Sequence, residues 1–97
     1  MKKLTRYIVR NNKTQKYVYH DPLQKESFEV DELNEATLFS RYDITTYVGL
    51  DQSFLELIKI QYIEPTETDL ELIEVLVNIT IKQYRPVVSL DIKVEKI

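Results

Sequence analysis

The chain has no cysteine, no tryptophan and a single glycine among its 97 residues. Without cysteine there is neither a disulfide nor a thiolate metal site, and a reducing compartment is compatible. One glycine, Gly49, cannot build the glycine-rich loops that cradle phosphates. No apolar run approaches the roughly 20 residues a membrane helix needs. Met1-Lys2-Lys3-Leu4-Thr5-Arg6 has a basic start, but Arg6 and Arg10 interrupt the place of a signal-peptide core. It reads as mature structure. These absences point to a cytoplasmic protein, with no membrane, metal or cofactor in its chemistry.

What is present suits one globular domain over residues 1–97. Hydrophobic residues make up 43% and charged residues 30%, enough for a core and too apolar for disorder. The net charge of −3 conceals segregation. Residues 1–20 carry Lys2, Lys3, Arg6, Arg10, Lys13 and Lys16 with no acid, whereas residues 61–80 carry five acids and no base. Such blocks pair within a fold or steer a partner.

Leu70–Gln83 dominates the pattern. Ile73, Val75, Val77, Ile79 and Ile81 recur at a period of two, a strong signal for a long strand. A strand of that length requires paired neighbours. Leu57–Ile63, where Ile58, Ile60 and Tyr62 alternate with Lys59 and Gln61, and the alternating Val87–Ile97 are the expected ones. Thr68-x-x-Glu71 has the form of a capping box, but the β-branched run after Ile73 outweighs a helix there.

Earlier in the chain, Leu4–Arg10 and Gln15–His20 read as a β-hairpin turning at Asn11-Asn12-Lys13-Thr14. Ser27–Val30 suggests a short third strand with Phe28 and Val30 on one side. Asp31 is placed to cap a short helix over Glu32–Ser40, with Leu33, Ala36 and Phe39 as its stripe. Tyr42–Leu50 has strand composition, and Gly49 suits a turn. Asp51 offers a second helix start with Phe54, Leu55, Leu57 and Ile58 as its face, competing with the strand from Leu57. The fold class is α+β: an N-terminal hairpin, one short helix and a mainly antiparallel sheet with long C-terminal strands.

No catalytic constellation emerges. His20 and Asp21 are adjacent on a strand and so face opposite ways, which suits a surface histidine at a strand end better than a dyad. The acids Asp31, Glu32 and Glu35, and Glu64, Glu67 and Asp69, lack the spacing and glycine of a calcium loop. Asn78-Ile79-Thr80 matches a glycosylation sequon, but inside a core strand. Arg6, Arg10, Tyr17 and Tyr19 stand out as binding residues, since exposed arginines and aromatics anchor partners. The same mixture suits a nucleic-acid stacking platform, which the acidic balance of the whole chain opposes.

Two stretches carry a family likeness, Tyr7-Ile8-Val9-Arg10-Asn11-Asn12-Lys13-Thr14-Gln15-Lys16-Tyr17-Val18 and Asn34-Glu35-Ala36-Thr37-Leu38-Phe39-Ser40. Residues 1–48 resemble small accessory proteins encoded by phages of Gram-positive bacteria. The resemblance implies a non-enzymatic protein acting on a host or phage partner, such as an inhibitor of a defence protein, with no catalytic residues to carry over. Self-association as a virion or assembly component is the alternative. Leu70, Leu72 and Leu76 leave β-strand 70–83 apolar on its second face as well, which a helix or a second subunit has to cover. A homodimer is the expectation on that ground.

Overall fold

A computed structural model describes residues 2–46, 51–83 and 88–96 of the chain. Five antiparallel strands form one sheet in the order β3-β2-β1-β4-β5. They are β1 Lys2–Asn11, β2 Lys16–Asp21, β3 Glu26–Val30, β4 Leu70–Gln83 and β5 Val88–Lys96. Two α-helices, α1 Arg41–Thr46 and α2 Asp51–Ile60, lie between β3 and β4, after a single 3-10 turn at Leu33–Glu35. The class is α+β, as the sequence suggests.

β4 is the strand its period predicts, and the capping-box sequence at Thr68 starts no helix. Its neighbours differ from expectation on one side. β5 pairs with it from Val75↔Lys96 to Gln83↔Val88. The other neighbour is β1, aligned from Lys2↔Ile79 to Asn11↔Leu70, and not residues 57–63. β1 supplies alternating apolar residues on both faces, Val9 and Tyr7 on one and Ile8 and Leu4 on the other. A central strand packed on two sides needs both.

The hairpin forms, but it closes over only two pairs, Arg10↔Tyr17 and Asn11↔Lys16. Beyond them β2 leaves β1, and the segment after the 3-10 turn enters the gap. Phe39 exchanges backbone hydrogen bonds with Tyr7, while the Thr37 N–H donates to the Val18 carbonyl at 3.1 Å. The Thr37 hydroxyl also accepts from the His20 N–H at 2.7 Å. These bonds hold residues 37–39 extended, so the expected helix over Glu32–Ser40 shrinks to one turn. Asp31 does not cap it; the cap position is Glu32, with no side-chain bond, and Asp31 pairs with Lys16 at 3.4 Å. Positive φ falls at Gln15 (61°) and Lys25 (55°), not at an asparagine.

Two further expectations are overturned. Residues 41–46 form helix α1 instead of the start of a strand; residues 47–50, with Gly49, lie outside the described residues. A reciprocal cap fixes α1: the Asp43 N–H donates to Ser40 Oγ at 3.1 Å, and the Ser40 N–H donates to Asp43 Oδ2 at 2.8 Å. Thr45 and Thr46 hydroxyls bond back to carbonyls of the preceding turn, so their β-branching is accommodated. Residues 57–60 belong to α2 and not to a strand. Phe54 and Ile58, four apart, are buried, while Ile60 is 75% exposed, so the period is helical. The expectation of one short helix thus becomes two.

The core divides between the two faces of the sheet. Under the helices Val9, Val18, Phe39, Ile44, Phe54 and Ile58 pack together, with Leu55, Leu70 and Leu72 against them. The Phe39 and Phe54 rings meet edge to face at 4.9 Å. On the opposite face Ile8, Ala36, Val75 and Val77 are buried, with Leu33, Leu38 and Val94 beside them. α2 therefore covers Leu70 and Leu72 within the chain. Leu76, the third apolar residue of that face, is half-buried.

Candidate functional site

Strand alternation places Arg6 and Arg10 on the face of β1 that also carries Ile8, away from the helices. Arg10 lies opposite Tyr17 on one side and Glu71 on the other. Its Nη1 donates to Asn12 Oδ1 at 2.7 Å, and Asn12 Nδ2 donates in turn to Glu71 Oε2 at 3.0 Å. Arg10 Nε is buried without an acceptor. Arg6 donates to the neighbouring Thr5 carbonyl and lies opposite Val75, whose partner on the far side is Lys96. The Lys96 ammonium stands 5.2 Å over the Tyr17 ring, so a side chain from the end of β5 reaches one from β2.

The four residues singled out from the sequence are thus only partly assembled. Arg10 and Tyr17 are cross-strand neighbours, and Tyr17 is half-buried against the apolar core of this face. Tyr19 lies past the point where β2 leaves β1, opposite Phe28 of β3, with ring centres 5.0 Å apart. Tyr19 and Phe28 are 40% and 41% exposed, the rim of an aromatic pair on the surface. Arg6 sits further along β1, away from this pair. Phe28 and Lys96 were missed in the sequence. Phe28 was on a recognised strand, but only the register with β2 gives it an aromatic partner.

A second centre was not foreseen at all. Asn11 is fully buried and uses its whole amide. Its Nδ2 donates to Glu29 Oε2 at 2.9 Å and to the Glu67 carbonyl at 3.1 Å, while Oδ1 accepts from the N–H groups of Lys13 and Asp69. The Thr14 hydroxyl donates to the same Glu29 oxygen at 2.6 Å. Asn11 thereby ties the hairpin turn, β3 and the loop before β4 at one point. The Tyr62 hydroxyl is buried nearby; burial first, and then the Glu29 charge, push its pKa up to about 12. A cleft of about 430 Å³ opens beside it, lined by Lys16, Ser27, Phe28, Glu29, Tyr62 and Thr66 among others. Of its polar groups, Glu29 is held by Asn11 and Thr14, and Ser27 by His20.

His20 departs from the surface role expected of it. It is buried on the helix side, with Nδ1 3.0 Å from Ser27 Oγ. Burial lowers its pKa, against the smaller opposing effects of Asp21 and the Glu26 backbone. Asp21 faces away, accepting the N–H groups of Leu23 and Gln24 in the next turn. Ser27 is fully buried, and its backbone bonds to Gln61 and Ile63. The pair is a packed hydrogen bond that pins β2 to β3. Among the described residues no three histidine or carboxylate side chains gather in a way that would hold a metal ion, and no helix is long and apolar enough to cross a membrane.

Comparison with family models, with curated proteins and with solved structures returns no match to this chain.

Proposed function

We propose that this protein is a non-enzymatic binding module that acts by holding another protein, in the manner of the phage accessory proteins its first half resembles. The observation that supports this reading is the Tyr19–Phe28 ring pair, large, paired and exposed at the surface of a two-stranded extension. Aromatic groups of this kind bury much area at little entropic cost when a partner covers them. Arg10, Tyr17 and Lys96 lie on the neighbouring part of the sheet, with Arg6 further along β1. They favour a partner surface with acidic groups around an apolar centre. A host protein, including one of a defence system, is the class of target that fits the resemblance.

Nucleic acid is the weaker reading. Glu71 lies beside Arg10 in the register and is bridged to it through Asn12, which offsets part of the positive charge a phosphate would seek.

The test is affinity capture from the cytosol of a Gram-positive host, comparing the unaltered chain with Tyr19→Ala/Phe28→Ala and with Arg6→Ala/Arg10→Ala. A captured protein that is lost with the first variant and weakened with the second, while both keep their circular dichroism, supports the reading. A partner held equally well by all three places the binding surface elsewhere.

A further inference from the structure

The two edges of the sheet are treated differently. At β3 the outer edge is occupied: the Ser27 N–H donates to the Gln61 carbonyl and the Ile63 N–H to the Ser27 carbonyl. At β5 no strand among the described residues takes the outer edge, so every second one of its nine residues directs its backbone N–H and carbonyl outward. An open edge of that length is a template for another strand.

We propose that this edge joins a second copy of the chain, β5 against β5 in antiparallel orientation about a two-fold axis at Ile92, making one continuous ten-stranded sheet. The sequence of β5 is complementary to its own reverse in this register. Ile92 meets Ile92 of the second copy, position 90 (leucine) meets position 94 (valine), and position 91 (aspartate) meets position 93 (lysine), each pair occurring twice. In this register apolar positions of the sequence therefore oppose apolar ones, and opposite charges oppose each other. This is the self-complementarity an isologous interface requires.

Neighbouring registers are worse. An axis at position 93 sets lysine against lysine and aspartate 91 against glutamate 95. An axis at position 94 keeps opposite charges together but pairs only residues 92–96. Ile92, 53% exposed, is the apolar group that the proposed axis covers. Lys93 and Glu95 form an ion pair at 3.2 Å with side chains 75% and 46% exposed; so weak a surface pair leaves Lys93 free to exchange partners.

This interface is independent of the Tyr19–Phe28 surface. The experiment is analytical ultracentrifugation of the full chain across a micromolar to millimolar series, with Asp91→Lys, Lys93→Asp and the double swap. The unaltered chain is expected to show a monomer–dimer equilibrium. Each single reversal, placing like charges opposite each other twice, raises the dimer dissociation constant about tenfold. The double swap restores it, and so does mixing the two single variants, since each then meets its opposite. Tyr19→Ala/Phe28→Ala leaves the equilibrium unchanged, which separates this interface from the partner-binding one. A chain monomeric throughout the series overturns the proposal. So does an Asp91→Lys variant that dimerises like the unaltered chain, or a mixture that stays as weak as its components.

Discussion

Tyr7 and Phe39 exchange backbone hydrogen bonds of 2.8 and 2.7 Å in the gap between β1 and β2. A segment from the middle of the chain is thereby built into the opening of its first hairpin. Phe39 then reaches the helix side of the sheet, where its ring meets Phe54. Residues 37–39 are in this way the link between the strands and the helical layer.

The Phe54 contact leads to the first prediction. Phe54→Ala empties a fully enclosed site and costs about 3–5 kcal/mol in urea unfolding. Ile60→Ala, at a residue 75% exposed, stays within about 0.5 kcal/mol. A strand alternating Ile58, Ile60 and Tyr62 would make both changes costly, so the contrast distinguishes helix from strand.

Asn11→Ala removes the amide that serves the Glu67 carbonyl, the Lys13 and Asp69 N–H groups and the Glu29 carboxylate together. Several buried groups lose their partner at once, and the expected loss is about 3 kcal/mol by chemical denaturation. Thr14→Val, which removes one donor to Glu29, should cost about 1 kcal/mol. Equal losses for the two would show that the amide does not act as a hub.

The cap of α1 is testable by Ser40→Ala and Asp43→Ala. Each is expected to lower stability by about 1 kcal/mol. Because they share one reciprocal pair, the double variant should lose less than the two losses added. Strict additivity in a double-mutant cycle would disprove the coupling.

His20 gives the fold a dependence on acid. Its folded pKa is lowered from 6.5, so the unfolded chain binds the proton more readily. The contribution is complete above pH 6.5 and is lost as the pH falls below it towards the folded value. Unfolding measured between pH 7 and about 5 should show a decline that is shallower in His20→Asn, which keeps a polar group near Ser27. An unchanged slope would assign the decline to the carboxylates instead.

How much of this was legible depended on whether local pattern and tertiary partner agreed. β4 was plain because five β-branched residues share one period and nothing competes with it. The hairpin was plain for the same reason, though its register was not: only the Thr37 and Phe39 bonds reveal why β2 leaves β1 after two pairs. α1 was misread because Ile44, Thr45 and Thr46 favour a strand by composition, whereas the Ser40–Asp43 cap decides for a helix. α2 was misread because Ile58, Ile60 and Tyr62 alternate by accident, Ile60 facing solvent. A turn at residues 11–14 would set Arg10 against Gln15; the observed register sets it against Tyr17. The role of Asn11 arises from segments distant in sequence, whereas the Tyr19–Phe28 pair and the His20–Ser27 bond depend on the register between β2 and β3.

The long ladder between β1 and β4 joins the beginning of the chain to residues 70–79. During synthesis β1 has to wait until residues 70–79 have emerged before its longest ladder can form. Its two-pair contact with β2 offers little shelter meanwhile. Closing so large a loop delays the productive transition and favours slow folding relative to a helical chain of this length. Until β4 arrives, the apolar residues of β1 are exposed to any other extended segment, and the newborn chain is most prone to aggregate in that interval.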